Sequence, residues 1–143
     1  MSESALIVGT GEGLSASLAR LFASEGMHVG VASRMPSKLN ALASEISGHA
    51  FHCDATDPSA VSKLFKNMSD EIGEPDVVVY NASGRVRGPV IGLDPEAVLE
   101  ATLTSCYGGF LVAQQAARQM MIRGSGSILL TGASASVKGY ANS

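Results

Sequence analysis

Short apolar runs alternate along this chain with stretches whose apolar residues recur every three or four positions, and glycines or Asp-Pro pairs separate them. Residues 5–8, Ala-Leu-Ile-Val, end at Gly9-Thr10-Gly11-Glu12-Gly13, after which Leu14, Leu18, Leu21 and Phe22 share one helical face. The pattern predicts a strand, a glycine turn and a helix. Residues 27–32 predict a second strand, and a helix opening near Pro36 carries Leu39, Leu42 and Ile46 on one side, proline suiting a first helical turn. Residues 50–53 predict a third strand. Asp57-Pro58 then caps a helix with Val61, Leu64, Phe65 and Met68 along one stripe. Residues 77–80, Val-Val-Val-Tyr, are apolar at every position, as a parallel strand covered on both faces requires. A polar, glycine-rich loop follows. Asp94-Pro95 caps a helical region reaching about Arg123, and residues 127–131 predict a fifth strand after Gly124-Ser125-Gly126.

Strand and helix in regular alternation predict a three-layer α/β architecture with a parallel sheet in the order 3-2-1-4-5. No repeat, low-complexity tract or linker interrupts it, so residues 1–143 read as one domain. Sheets of this kind hold ligands beyond the strand carboxyl ends, where the strand order reverses.

Composition narrows the partners. The 143 residues carry 10 Lys and Arg against 13 Asp and Glu, a formal charge of −3 with the basic residues scattered, which argues against a nucleic-acid partner. No stretch approaches the ~20 apolar residues that span a bilayer, and Met1-Ser2-Glu3-Ser4 lacks the basic start of a secretion signal. A membrane partner is therefore not expected. Two cysteines are too few for a disulfide framework, and a reducing cytoplasm is the expected compartment. His49, His52, Cys53 and Asp54 lie close in sequence, but strand alternation sends neighbours to opposite faces, so no metal is expected.

The loop Gly9, Thr10, Gly11, Glu12, Gly13, Leu14 stands between a strand and a helix N-terminus, where backbone N–H groups meet anionic phosphate and glycine lets the backbone come close. Glycines also serve tight turns, so neighbouring residues must decide. A Walker-type loop needs a Lys after its last glycine, and Leu14 stands there. An S-adenosylmethionine or NAD site wants an acid at the end of the second strand for the ribose hydroxyls, and this chain has Ala32-Ser33-Arg34. Arg34 suits a 2′-phosphate, with Ser33 beside it, so NADP is preferred and NAD stays possible. Glu12 opposes an anion mildly, and Arg34 has the alternative of an ordinary solvated arginine.

With these residues the chain resembles the short-chain dehydrogenase/reductase family, over its whole length but only over that family's N-terminal, cofactor-binding part. The resemblance implies a Rossmann fold binding NAD(P). The family's Gly-x-x-x-Gly-x-Gly is met by Gly9 and Gly13, with Ser15 replacing the last glycine and Val8 standing where a Thr usually precedes the first. Ser15 adds a Cβ where helix and strand approach closely, which implies either a slightly wider turn or a hydroxyl near the pyrophosphate. Asp54, followed by Ala55, occupies the position that accepts from the adenine amino group, with Asp57 as the helix cap. Asn81-Ala82-Ser83 resembles the family's Asn-Asn-Ala-Gly, laying backbone along the nicotinamide ribose while Asn81 ties the central strands. Ser105 aligns with a helix Asn that holds a relay water, and Ser134, one residue past the aligned Ala133, is the candidate to donate to a substrate oxygen, with Ser136 in reserve.

Taken over whole, the resemblance implies hydride transfer between a nicotinamide cofactor and a small-molecule carbonyl or secondary alcohol, by a homo-oligomer, dimer or tetramer, packed through residues 95–123. The family's Tyr-x-x-x-Lys would lie beyond Ser143, so the chain reads as a portion that ends before its proton donor and is inactive alone. Tyr140, six positions past Ser134, reads as an ordinary loop tyrosine. Ser15, Ser105 and Ala133 also fit a second outcome, a nucleotide-binding module or sensor without turnover. There is no Gly-x-Ser-x-Gly nucleophile elbow. Met68, Met120 and Met121 fit core or subunit contacts, and Arg85 and Arg87 point toward an anionic group.

Overall fold

The computed structural model describes residues 3–140, with the start of the chain at Met1-Ser2 and the segment 141–143 lying outside the described residues. Five strands, β1 Ser4–Val8, β2 His28–Ser33, β3 His49–His52, β4 Val77–Tyr80 and β5 Ser127–Leu130, form one parallel sheet in the order β3-β2-β1-β4-β5. Both the order and the parallel pairing match the sequence pattern. The helices are α1 Leu14–Ser24, α2 Asn40–Glu45, α3 Pro58–Glu71, α4 Pro95–Thr102 and α5 Gly108–Arg123.

Strand alternation divides the apolar side chains between two faces. Leu6, Val8, Val78 and Tyr80 pack with Val61, Leu64, Phe65 and Met68 of α3 and Leu111, Val112, Ala116 and Met120 of α5. On the other face Ile7, Val29, Val31 and Val79 meet Ala16 and Ala19 of α1 and Leu39, Leu42 and Ala43 around α2. Three layers result, as expected. Met68 and Met120 are core residues, whereas Met121 is exposed.

Local chemistry explains most boundaries. Asp57 accepts from the Ser59 N–H at 2.8 Å and Asp94 from the Glu96 N–H at 3.2 Å, each with a following proline that needs no N–H partner in the first turn. At the far end, Gly124 takes the left-handed φ of +79° and returns its N–H to the Met120 carbonyl. Two elements depart from the pattern. The segment expected to open a helix near Pro36 begins as a 3₁₀ turn, Pro36–Lys38, and α2 itself covers only Asn40–Glu45. The region 95–123 is not one uniform helix: Leu103–Tyr107 widens into a π turn between α4 and α5. β5 lies at the sheet edge with Ile128, Leu129 and Leu130 all exposed.

Candidate functional site

The strand order reverses between β1 and β4, and the pairings Val8↔Ala32 and Val8↔Tyr80 bring three strand ends level there. A cavity of about 280 Å³ opens at that line. Its walls come from Gly9, Thr10 and Gly11 after β1, Ser33 and Arg34 at the end of β2, Asp54 and Ala55 after β3, and Asn81, Ala82 and Ser83 after β4. Ten residues singled out from the sequence thus meet around one space. Glu12 lines an adjoining cavity of about 730 Å³ with Lys38, Gly13 caps α1, and Leu14 is exposed on its first turn.

The glycines of the loop differ in their reasons. Gly9 has φ +85°, and a Cβ on it would stand 2.3 Å from the Ala82 nitrogen, so the protein itself demands glycine where the two loops touch. Gly11 and Gly13 have nothing within 4 Å of an added Cβ. Among the described residues no packing explains them, which suits a backbone that lets a ligand come close. The Gly9 and Thr10 N–H groups both donate to the Ala32 carbonyl at 3.0 Å, and the Thr10 hydroxyl donates to the Ile7 carbonyl, which pins the loop root. The N-terminus of α1 has no side-chain cap and no acid in its first turn, so its N–H groups keep their positive end open to an anion.

Ser15 turns out to face inward. Its buried hydroxyl donates to the Gly9 carbonyl at 3.2 Å and accepts from the Asn81 side-chain amide at 2.8 Å, rather than pointing toward the loop's open side. Asn81 also donates its own N–H to the Val8 carbonyl at 2.9 Å. Together they tie α1, β1 and β4 into one joint, the structural part expected of Asn81.

Asp54 and Asp57 divide two jobs. Asp54 Oδ1 accepts from the Thr56 N–H at 2.9 Å and the Thr56 hydroxyl at 2.7 Å, which draws its carboxyl below the usual aspartate range, and Arg34 adds a smaller pull in the same direction. Oδ2 keeps its lone pairs for another donor. Thr56, missed in the sequence, was legible as the third member of an Asp-x-Thr turn. Cys53 lines the same cavity with a thiol that burial, and then the nearby Asp54 and Asp57 charges, push up to about 12. It is not a nucleophile at ordinary pH.

The helical region contributes through its π turn. The buried Tyr80 hydroxyl, its acidity suppressed to about 12 by desolvation, donates to the Thr104 carbonyl, and Thr104 closes the cavity wall. Gly108 leaves room for that phenol: a Cβ there would lie 2.4 Å from the Tyr80 oxygen. In the same turn Ser105 accepts from the Gly84 N–H at 2.9 Å and donates to the Gly84 carbonyl at 3.2 Å. Its only proton is committed to the loop after β4, which leaves one lone pair for a water.

Beyond β5, Ser134 opens the 3₁₀ turn Ser134–Ser136, and Ser136 closes that turn by donating to the Ala133 carbonyl at 2.8 Å. The Ser134 hydroxyl lies 2.7 Å from the Tyr140 hydroxyl, and Lys138 Nζ stands 5.0 Å from the Tyr140 ring centroid. The bond with Ser134, and then Lys138, lowers the Tyr140 phenol from its ordinary value. The sequence reads Tyr140 as an ordinary loop tyrosine; the turn brings its hydroxyl to the candidate serine. Among the described residues no three His, Cys, Asp or Glu side chains gather as a metal site, and no helix is long and apolar enough to cross a membrane.

Comparison with known proteins agrees with this arrangement. The family described as short chain dehydrogenase matches residues 3–143. The chain is 30% identical over 137 residues to the 2,3-dihydro-2,3-dihydroxybenzoate dehydrogenase of Bacillus subtilis (strain 168), covering 92% of this chain and 52% of that protein. It is 28% identical over 142 residues to the 3-oxoacyl-[acyl-carrier-protein] reductase MabA of Mycobacterium avium, covering 99% and 53%. Among solved structures, an actinorhodin polyketide ketoreductase variant with NADPH superposes with a TM-score of 0.93 at 26% identity, covering 99% of this chain and 57% of that one. A short-chain type dehydrogenase/reductase from Mycobacterium marinum superposes with a TM-score of 0.84 at 32% identity, covering 88% and 52%. The chain spans about half the length of the curated relatives it matches.

Proposed function

Because the chain belongs to the short chain dehydrogenase family, we propose that residues 1–143 are the nucleotide-binding domain of an oxidoreductase acting on a carbonyl or secondary alcohol, with NADP preferred over NAD. The single observation that carries the proposal is the cavity at the β1/β4 reversal, where the glycine loop, Arg34, Asp54 and Asn81-Ala82-Ser83 converge. The residues present fit a nicotinamide dinucleotide. Gly11 and Gly13 leave open space beside the uncapped end of α1 for a pyrophosphate. Among the described residues Arg34 has no ion-pair partner closer than 4.0 Å and can meet a 2′-phosphate bidentately, with the Ser33 hydroxyl proton beside it. Asp54 Oδ2 can accept from an adenine amino group, and the backbone of Asn81, Ala82 and Ser83 offers a surface toward the ribose.

The nucleotide supplies or accepts the hydride. The chain's own part is to hold the reactants and manage the oxygen. Ser134 would donate to the substrate oxygen, a reading supported by its position after β5 and by its 2.7 Å contact with the Tyr140 hydroxyl. Ser105 acts chiefly as a clamp on Gly84. Exposed Leu99, Phe110, Met121 and Ile122 along residues 95–123 support assembly into a homo-oligomer, and two free cysteines suit a cytoplasmic setting.

A nicotinamide fluorescence titration tests the cofactor reading, unencumbered by tryptophan, which the chain lacks. NADPH is expected to bind more tightly than NADH, and Arg34→Ala to erase the difference. Equal affinities in the parent chain sink the NADP preference, and a melting temperature raised by S-adenosylmethionine but by neither nicotinamide sinks the oxidoreductase reading. The second reading, a nucleotide-binding module without turnover, is favoured by one observation: the Ser105 proton is already committed to Gly84.

A further inference from the structure

We propose that the substrate carries an anionic group, a carboxylate or a phosphate, held by Arg85, Arg87 and Lys138 at the end of the cleft away from the glycine loop. The inference rests on the oxidoreductase reading, since it names the substrate class of the same site. A cavity of about 830 Å³ lies between the loop after β4 and the turn after β5. Arg85 and Arg87 line one wall, and Ser134, Lys138 and Tyr140 the other, with no carboxylate among the described residues of the lining. Three of the chain's ten basic residues therefore surround one space in a protein of net charge −3.

These arginines differ from the chain's structural ones. Arg20 is engaged by Glu45, and Arg123 by Glu74 and Asp76, whereas among the described residues Arg85 and Arg87 have no ion pair and keep both forks open. Their loop is anchored at its root, where Ser105 grips both the N–H and the carbonyl of Gly84, so the guanidinium groups hang from a fixed point.

The position fits a substrate with two handles. A smaller cavity of about 330 Å³ shares Asn81, Ala82 and Ser83 with the nucleotide cleft and Gly84, Arg85 and Ala133 with the cationic space. The small cavity thus joins the nucleotide cleft to the cationic space, and Ser134 stands in the wall of the latter, so a substrate oxygen at Ser134 and an anionic group at the arginines share one space. Guanidinium groups facing a cleft favour an anionic ligand over a neutral one of the same shape, and weaken with salt.

Acetoacetate, its neutral methyl ester and dihydroxyacetone phosphate, each titrated into the 143-residue chain saturated with NADP⁺ and followed by amide NMR shifts, test the proposal. Acetoacetate or dihydroxyacetone phosphate is expected to bind at least tenfold more tightly than the ester, and whichever binds better identifies the group. The double variant R85Q/R87Q is expected to remove that tenfold advantage while leaving ester binding and NADPH affinity unchanged, NADPH binding also reporting that the variant is folded. An ester that binds as tightly as both anions, or anion binding untouched by R85Q/R87Q, overturns the proposal. If NADPH does not bind the parent chain yet the anions still bind through Arg85 and Arg87, the nucleotide reading falls and the anionic site stands.

Discussion

Replacing Gly9 and Gly11 one at a time by alanine separates a glycine the fold needs from one a ligand needs. At Gly9 the new Cβ stands 2.3 Å from the Ala82 nitrogen, 2.5 Å from its Cα and 2.6 Å from its Cβ, in a residue whose φ is +85°. The left-handed conformation alone costs about 1–2 kcal/mol with a Cβ present. Relieving the overlap means shifting Ala82, and with it Asn81, whose bonds to Val8 and Ser15 are each worth about 1 kcal/mol. The sum is about 3–4 kcal/mol, which lowers a urea midpoint by about 2 M if the m-value is about 2 kcal/mol/M. At Gly11 the same methyl meets nothing within 4 Å, so stability is expected to stay within about 0.5 kcal/mol of the parent or to rise slightly, since alanine restricts the unfolded chain. NADPH affinity is expected to fall at least tenfold in Gly11→Ala, because the methyl occupies space left for the pyrophosphate. Urea unfolding followed by circular dichroism, paired with the fluorescence titration, reads both. A Gly9→Ala protein as stable as the parent, or a Gly11→Ala protein destabilised to the same extent as Gly9→Ala, would refute the reasoning about close approach.

Three further outcomes follow from the joints around the cleft. Ser15→Ala leaves the Asn81 amide without its acceptor and is expected to cost about 1–3 kcal/mol; in a double-mutant cycle with Asn81→Ala the two losses should fall short of additive by at least about 0.5 kcal/mol, and strict additivity would show that the two side chains do not cooperate. Cys106 is exposed and Cys53 buried with its thiol pushed up to about 12, so a thiol reagent at pH 8 should titrate one group quickly and the second only in denaturant; two fast equivalents would contradict the packing. The Asp54 carboxyl is lowered in the folded state, so its stabilising contribution is complete above the unfolded value near 4 and disappears as pH falls through the lowered folded value. Its carboxyl carbon shift should titrate below that of an ordinary aspartate, and Thr56→Ala, which removes one of the two donors, should raise the midpoint part of the way back; no change would mean the hydroxyl contributes nothing.

The caps show why much of this fold was legible. Asp57-Pro58 and Asp94-Pro95 encode helix starts through two adjacent side chains, so nothing distant is needed to read them. The all-apolar 77–80 run announced a covered parallel strand for the same reason. The π turn at Leu103–Tyr107 was hidden because its cause is tertiary: a phenol from β4 reaching the Thr104 carbonyl, with Gly108 making room. Ser15 likewise read as a substituted glycine, yet its role depends on Asn81, 66 residues away. Tyr140 could not be joined to Ser134 by spacing alone, since the link runs through a 3₁₀ turn that the Ser-Ala-Ser sequence does not announce. Sequence revealed ten of the residues that line the cleft and missed Thr56 and Thr104, whose places depend on the partners they hold.

The two sides of the sheet respond unequally to base. Among the described residues, the buried apolar cluster beneath α1 and α2 includes no ionisable side chain, while the one beneath α3 and α5 includes both Cys53 and Tyr80. Each of these has its proton held to about 12 when folded, so each stabilises the chain below its unfolded value, near 8.5 for the thiol and 10 for the phenol, and ceases to as pH climbs toward 12. Alkali therefore acts on this protein through the α3/α5 layer, where Cys53 also borders the cavity of the glycine loop and Tyr80 holds the Thr104 carbonyl.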